Sequence, residues 1–270
     1  MRLPLYQVDA FAERLFTGNP AAVVVTPEAL PQLVMQAIAA ENNLSETAFV
    51  FGNLETLDNL TIRWFTPTTE VDLCGHATLA AAHILLSVYA PTQAQVQFNS
   101  HSGQLRVAAT DGWLWLDFPC DTLQPANKLQ EAVSQALGLP VERVLRGRTD
   151  LLAILSSPGV VKQLQPNLAQ VEQLDCRGLI VSAQGDDTDF VSRFFTPQSG
   201  IDEDPVTGSA HITLVPYWSE ILGKSVLTAT QLSPRGGNLR CRLNGDRVHI
   251  GGKALTYLTG EINLQSLSKC

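Results

Sequence analysis

The chain repeats a ten-residue segment once, and this repetition limits the architectures open to it. Residues 63–72 read RWFTPTTEVD and residues 193–202 read RFFTPQSGID, at an offset of 130. A second matched pair follows in the same order, SGQLRV at 102–107 and GGNLRC at 236–241, at an offset of 134. Two matches in one order predict two lobes of common topology. The alternative is chance similarity between residues that are common in strands and turns.

We expect the first lobe to cover residues 1–124 and the second to cover residues 125–270, with room for the last strands to cross back to the first lobe. Seven short runs rich in β-formers, separated by turn residues, predict the strands of the first lobe. They read LYQVDAF, AAVVV, ETAFVF, LTIRWF, VQFNS, LRVAA and WLWLDF. Two similar lobes facing each other would leave a cleft, and ligands commonly bind in clefts.

Each lobe also contains a helix that is apolar on every side. The first, from Gly75 to Ala90, has no Asp, Glu, Lys or Arg, and the second, from Gly208 to Leu222, has only Glu220. A helix of this kind must be buried all round. We therefore predict an α+β fold of two pseudo-symmetric lobes, each a strand barrel around a central buried helix. Pro216 should kink or break the second helix.

Composition excludes several classes of partner. Of the 270 residues, 45% are hydrophobic and 16% charged, as in folded globular proteins. A net charge of −8 and a pI near 5.1 argue against nucleic acid or an anionic membrane surface as the main partner. The N-terminus lacks an apolar signal core, and no apolar run approaches the roughly 18 residues of a membrane span. The five cysteines form no C-x-x-C pair. We expect a cytoplasmic protein with reduced thiols.

Both apolar helices begin with glycine followed by a polar residue, Gly75-His76 and Gly208-Ser209. Free backbone N–H groups and the positive end of the helix dipole at such a start bind anions, including carboxylates. The repetition therefore predicts two helix ends suited to one anionic substrate. For Ser209, the alternative role is that of an ordinary N-cap.

For each of four side chains near these helices, the sequence allows a role in the reaction and an alternative, structural role. His76 is either a proton shuttle or a core histidine bonded to a backbone carbonyl, and His211 is open to the same two readings. Glu46 precedes an apolar strand, where burial would raise a carboxyl pKa and suit it to acid/base work; otherwise it is a capping or surface residue. Asp204 is either a ligand of the substrate or of His76, or part of a solvated turn.

With these residues assembled, the chain resembles the phenazine-biosynthesis isomerase family, which shares its fold with diaminopimelate epimerase. The resemblance lies in VDAFAERLFTGNPAAVV, LSETAFV, RWFTPTTEVDLCGHAT and RFFTPQSGIDEDPVTGSAH followed by PYWSEILGK. These segments span most of the chain in the family's order, and the last two are highly specific.

The resemblance implies an isomerase without metal or cofactor, acting on a small carboxylate such as a dihydro-hydroxyanthranilate. Glu46 matches the family's general acid/base, which moves a proton from one carbon to another, and His76, Asp204 and Ser209 match its other catalytic residues. Substrate contacts are expected at the helix starts, from Cys74, Gly75, Ala77 and Gly208. A homodimer is also implied. The related epimerases use one cysteine per lobe, and here only Cys74 is in place, so that a two-thiol mechanism is excluded.

Other functions find less support in the sequence. A non-catalytic binding protein of the same fold is the main alternative. A hydrolase with Ser209 as nucleophile lacks the G-x-S-x-G turn. The histidines have no zinc-ligand spacing such as H-E-x-x-H. Neither G-x-G-x-x-G nor a P-loop is present, and the GGN that begins at Gly236 is predicted to be a strand turn.

Overall fold

The computed structural model describes residues 1–264. Its backbone contacts divide the chain into two compact units. Unit 1 contains Met1–Asp117 and the C-terminal segment from Gly252, and unit 2 contains Phe118–Gly251. The lobe boundary after residue 124 stays a prediction, because a compact unit of contacts is not necessarily an independently folding domain.

Up to residue 264, unit 1 contains nine strands and two helices, labelled in chain order. The strands are β1 (Arg2–Ala10), β2 (Asn19–Thr26), β3 (Glu46–Asn53), β4 (Asp58–Phe65), β5 (Glu70–Val71), β6 (Gln95–Ser100), β7 (Gly103–Thr110), β8 (Trp113–Pro119), whose end enters unit 2, and β18 (Ala254–Asn263). The helices are α1 (Gln32–Asn42) and α2 (Gly75–Ile84), and α2 continues as a π-helical turn over Leu85–Tyr89. All seven strands expected from the sequence are present.

Unit 2 is built from nine strands and four helices. The strands are β9 (Gln124–Pro125), β10 (Arg143–Arg146), β11 (Leu151–Ile154), β12 (Leu179–Gln184), β13 (Phe190–Thr196), β14 (Ile201–Asp204), β15 (Val226–Gln231), β16 (Gly237–Asn244) and β17 (Arg247–Gly252). The helices are α3 (Gln130–Leu137), α4 (Pro158–Gln163), α5 (Leu168–Glu172) and α6 (Gly208–Leu222).

The two units share one pattern of strand pairing, as the sequence repeat predicts. In unit 1, β4 is antiparallel to β3 and β5 and parallel to β6, which forms a hairpin with β7. In unit 2, β13 is antiparallel to β12 and β14 and parallel to β15, which forms a hairpin with β16. The resemblance extends upstream, where β2 and β3 pair in parallel, as do β11 and β12. The repeated sequence therefore encodes a repeated topology.

Each apolar helix is the centre of its unit. Every residue of α2 except His83 is buried, and α2 packs on β1, β2, β3 and β18. Helix α6 packs on β15 and β16, while its Trp218 stacks on Phe190 of β13 and donates a 2.9 Å hydrogen bond to Ser182 of β12. Strands thus surround a central helix in both units, and the predicted α+β fold is confirmed.

Helix α6 continues through Pro216 without ending there. Proline has no N–H to donate to the carbonyl four residues earlier, which belongs to Ile212. That carbonyl instead accepts a 3.1 Å hydrogen bond from the Asp121 backbone N–H, and the Asp121 carboxylate accepts one of 2.9 Å from Thr213. This external partner explains why the helix does not break at the proline.

The repeated arginine forms the same ion pair in both units. Arg63 on β4 contacts Glu70 on β5 at 2.6 Å, and Arg193 on β13 contacts Glu203 on β14 at 2.7 Å. Each guanidinium also lies over the ring of the phenylalanine two residues later, at 5.2 Å and 4.8 Å from its centroid. Both pairs join the strands that lead into α2 and α6, so the repeat conserves how these helix starts are held.

Cys74, Cys120, Cys176 and Cys241 are free within the described residues. Cys270 lies outside the described residues. Over residues 1–264, no helix combines the length and the apolar character that crossing a membrane requires.

Candidate active site

Helix α2 begins with the residues that the sequence singled out. Cys74 is the N-cap, in an extended conformation, and Gly75 is the first helical residue. The Cys74 carbonyl accepts hydrogen bonds from the backbone N–H and the hydroxyl of Thr78. The Cys74 side chain does not cap the helix. It is left to face His76, whose Nδ1 lies 3.5 Å from Sγ.

Glu46 joins this group from the first position of β3. Its Oε2 lies 3.1 Å from Nε2 of His76, and the two side chains are only 14% and 5% exposed. The pair is close but is not aligned as a hydrogen bond, and neither atom has another hydrogen-bond partner among the described residues. The structure therefore brings Glu46, Cys74 and His76 together, with Gly75 and Ala77 buried beside them in the first turn of α2.

Sequence reasoning missed Asn19, which contacts the other side of the His76 ring. Its Nδ2 lies 3.1 Å from Nδ1 of His76. The preceding Gly18 has φ +71°, and a Cβ there would lie 2.2 Å from the Ala10 carbonyl oxygen, so only glycine fits this turn. Glycine followed by asparagine is common in turns of every kind, and nothing in the sequence signals a contact with a residue 57 positions away.

Burial and neighbouring charge shift the pKa values of Cys74 and His76, and for His76 they act in opposite directions. Burial, reinforced by the Glu46 carboxylate, raises the pKa of Cys74, which keeps it a thiol at neutral pH. Burial lowers the pKa of His76, but the negative charge of the Glu46 carboxylate beside it acts in the opposite direction and raises that pKa. A neutral ring accepts the Asn19 amide N–H at Nδ1, and a half-turn of that amide would present its oxygen to a protonated ring.

In unit 2, the corresponding helix start is organised around Thr207. Thr207, not Ser209, is the N-cap of α6, so Ser209 is not the ordinary cap that was considered for it. The Thr207 hydroxyl donates to the buried carboxylate of Asp204 at 2.5 Å. Gln231 then bridges the two residues, accepting from the Thr207 N–H and donating to the Asp204 carbonyl. Asp204 is thus part of a buried network and not of a solvated turn.

Ser209 lies in the first turn of α6, after Gly208, beside an arginine that the sequence did not point to. Arg177 donates to the Ser209 hydroxyl at 3.0 Å. Its guanidinium also binds both oxygens of the buried Asp150, which orients it. Arg177 and Asp150 are separated by 27 residues, and each alone looks like a surface charge in the sequence.

His211, which the sequence left open, has the surroundings of a structural histidine. It is fully buried, its Nδ1–H donates to the Thr207 carbonyl at 2.8 Å, and its ring lies 5.8 Å from that of Phe190. Burial lowers its pKa to about 4. The folded protein therefore holds this ring neutral.

This buried histidine predicts a pH dependence of stability. An unfolded histidine titrates near pH 6.5, so between about pH 6.5 and 4 the unfolded chain binds the extra proton. The stabilisation is complete above about pH 6.5 and is lost as the pH falls towards 4, by about 3 kcal/mol. Urea unfolding at pH 7 and at pH 4.5 should show a smaller loss in a His211→Gln variant than in the unchanged protein. Equal losses would contradict the assignment.

Comparisons with known proteins agree with this architecture. A family model described as phenazine biosynthesis-like protein matches residues 8–260. An uncharacterized isomerase of Pseudomonas aeruginosa is 50% identical over 98% of this chain and all of its own length. The crystal structure of a phenazine biosynthesis protein of the PhzF family from Enterococcus faecalis has a TM-score of 0.91 and 45% identity, over 98% of this chain and 100% of that one.

A more distant likeness concerns the fold alone. A hydroxyproline epimerase from Agrobacterium vitis superposes with a TM-score of 0.60 at 10% identity, covering 97% of this chain and 93% of that one. The family model and the relatives instead match nearly the whole sequence. The chain belongs to the family of phenazine biosynthesis-like proteins.

Proposed function

We propose that this protein is a cofactor-independent isomerase that moves a proton between two carbons of a small, cyclic carboxylate, with Glu46 as the acid/base. The observation that carries the proposal is the contact between Oε2 of Glu46 and Nε2 of His76, two buried atoms 3.1 Å apart that are not hydrogen-bonded. A carboxylate with an unused oxygen in a dry environment can accept a proton from carbon. The name isomerase carried by the Pseudomonas aeruginosa relative supports the same class of reaction.

In the proposed reaction the Glu46 carboxylate removes a proton from one carbon, and the electron pair left behind delocalises into the conjugated ring and carboxylate of the substrate. Glu46 then returns the proton to a second carbon, so that bonds move but no atom is gained or lost. His76, with its raised pKa, supplies positive charge beside the glutamate and the developing anion. Asn19 fixes the orientation of that ring from the other side.

The helix start of either unit is suited to bind a carboxylate. Each helix offers free backbone N–H groups at its first residues, Gly75 in α2 and Gly208 in α6. In unit 2, Ser209 and the adjacent Arg177 add a hydroxyl and a positive charge at that position. We assign Ser209 and Asp204 to the catalytic group on the family resemblance.

The N-cap positions argue against the two-thiol chemistry of the related epimerases. Cys74 is the N-cap of α2, whereas Thr207 is the N-cap of α6 and donates a hydrogen bond from its hydroxyl to Asp204. The raised pKa of Cys74 also disfavours the thiolate that a cysteine base would need. Cys74 is therefore proposed to be a substrate-contacting part of the wall. On the same family resemblance, we also propose that the protein is a cytoplasmic homodimer.

Deuterium exchange tests the proposal directly. The protein is incubated in D2O with a panel of cyclic and acyclic carboxylates, dihydro-hydroxyanthranilate among them, and deuterium at carbon is followed by NMR. We expect uptake from a cyclic, unsaturated carboxylate, accompanied by its isomer. Binding of such a compound, seen by calorimetry, without any uptake would instead support the non-catalytic member of the fold.

A further inference from the structure

The group around His76 contains the three kinds of donor that a zinc ion takes in proteins. A carboxylate oxygen of Glu46, the sulfur of Cys74 and a ring nitrogen of His76 all lie within 4.8 Å of one another. Zinc binds thiolate at about 2.3 Å and imidazole or carboxylate at about 2.0–2.2 Å. Hard ions such as Mg²⁺ and Ca²⁺ prefer oxygen ligands, so the sulfur and nitrogen select a softer ion.

The Glu46 and His76 atoms that face each other lack a hydrogen-bond partner among the described residues, and a shared ion would supply one. Two ligands at tetrahedral positions around one zinc are separated by roughly 3.3–3.6 Å, given the bond lengths above. The Glu46–His76 contact, at Nε2, is 3.1 Å and slightly shorter than this separation, whereas the 3.5 Å contact of Cys74 is with the other ring nitrogen, Nδ1. Oε2 of Glu46 and Nε2 of His76 are buried and lack a hydrogen-bond partner among the described residues. Such atoms are costly unless an additional group satisfies them.

One ion can use only one nitrogen of the ring, and the structure favours Nε2. Asn19 already contacts Nδ1 at 3.1 Å. A metal-bound histidine usually donates its other N–H to a neighbouring oxygen, and the side-chain amide of Asn19 can supply that oxygen. Glu46 would be the second ligand, and Cys74 would become the third by turning its sulfur from Nδ1 towards Nε2, which leaves a fourth position open.

We propose that Glu46, Cys74 and His76 form a binding site for a thiophilic divalent cation, best matched by Zn²⁺, and that the bound ion switches the enzyme off. The ion would occupy the carboxylate oxygen and the ring nitrogen that the proton transfer needs. Binding itself is independent of the function proposed above, whereas inhibition rests on it. The site would thus be inhibitory, and the reaction itself would need no metal.

Cobalt titration of the full chain tests the binding. Co²⁺ coordinated by a thiolate gives a charge-transfer absorption in the near ultraviolet, and we expect it to saturate at one ion per chain and to be displaced by Zn²⁺. A Cys74→Ser variant should lose the absorption and bind Co²⁺ at least about 100-fold more weakly, since a direct ligand is worth no less than the 10- to 100-fold of an outer partner. A Cys176→Ser variant, which alters a half-buried thiol of unit 2, is the matched control.

The outcomes separate the two parts of the inference. No thiolate absorption, or an absorption that survives in Cys74→Ser and disappears in Cys176→Ser, would overturn the site. Circular dichroism of Cys74→Ser establishes that the variant is folded, and a His76→Gln variant provides a second ligand deletion with the same expected loss. Where deuterium exchange is observed, Zn²⁺ should stop it and a chelator should restore it. Exchange that continues with the site filled would overturn the inhibitory role while leaving the binding intact.

Discussion

A Glu46→Gln variant is expected to lose about 10³-fold in the rate of deuterium exchange, because general acid/base groups contribute roughly 10²–10⁴-fold. Glutamine keeps the size and the polar character of the side chain but cannot accept a proton from carbon. The rate is measured by NMR in D2O on the substrate that the panel identifies. A Glu41→Gln variant, which alters an exposed glutamate on α1, is the matched control and should exchange at the unchanged rate.

A second measurement shows whether the lower exchange rate of Glu46→Gln comes from the missing carboxylate or from a disrupted fold. The Glu46 carboxylate is one of the groups that raise the pKa of His76. Removing its charge should lower that pKa, which an NMR titration of the His76 ring can follow, while the melting temperature changes little. A variant that retains full exchange would refute the role of Glu46, whatever happens to His76. A variant that unfolds would be replaced by Glu46→Asp, which retains the charge on a shorter side chain and should keep a fraction of the rate.

The parts of the fold that could be predicted are those that local sequence patterns specify. Short runs rich in β-formers indicated the strands of unit 1, and the absence of charge over Gly75–Ala90 indicated a buried helix. The matched segments at 63–72 and 193–202 then indicated that unit 2 repeats unit 1. Helix α1 was missed because its start carries none of the usual signals: its N-cap is Pro31, without a side-chain cap, and its first turn has no acidic residue.

The candidate site was predictable only for the group of side chains at the start of α2. Glu46, Cys74 and His76 stand in recognisable segments, and the structure places them in contact. Asn19 and Arg177 were not predicted, because the residues that they contact are far away in the sequence. Asn19 contacts His76, and Arg177 contacts Ser209. The start of α6 at Gly208 was predicted correctly, whereas the sequence left open whether Ser209 is its N-cap, and the backbone conformation gives that position to Thr207.

The ion pair of the second repeat should dominate the stability of its unit. The Arg193 side chain is 10% exposed, and all three nitrogens of its guanidinium form hydrogen bonds. Two of them donate to the two oxygens of Glu203, and the third donates to the carbonyls of Val161 and Leu164. Replacing Glu203 by alanine would leave this cation buried without its counter-charge. Removing one partner of a buried pair costs about 3–5 kcal/mol. We expect that loss in the free energy of unfolding, measured by urea denaturation.

The equivalent pair in unit 1 is the natural control. Arg63 and Glu70 are 18% and 16% exposed, and within residues 1–264 no backbone carbonyl accepts a hydrogen bond from the Arg63 guanidinium. A Glu70→Ala variant should therefore lose less, about 1–2 kcal/mol, between the values of exposed and buried pairs. Equal losses in the two variants would show that the additional burial of Arg193 contributes nothing.

A double variant separates the value of the ion pair from the cost of an unpaired charge. Arg193→Met combined with Glu203→Leu removes both charges and fills the space with apolar groups, a change that is often neutral or stabilising in buried pairs. The carbonyl of Leu164 would lose the Arg193 donor, while that of Val161 keeps a 3.4 Å hydrogen bond from the Leu164 N–H. We therefore expect recovery of only about half of the loss seen in Glu203→Ala, since an unsatisfied buried group costs about 1–3 kcal/mol. Because Asp204 directly follows Glu203 on β14, deuterium exchange should recover less than stability does. A double variant with full exchange would show that the pair serves the fold of unit 2 and not the placement of Asp204.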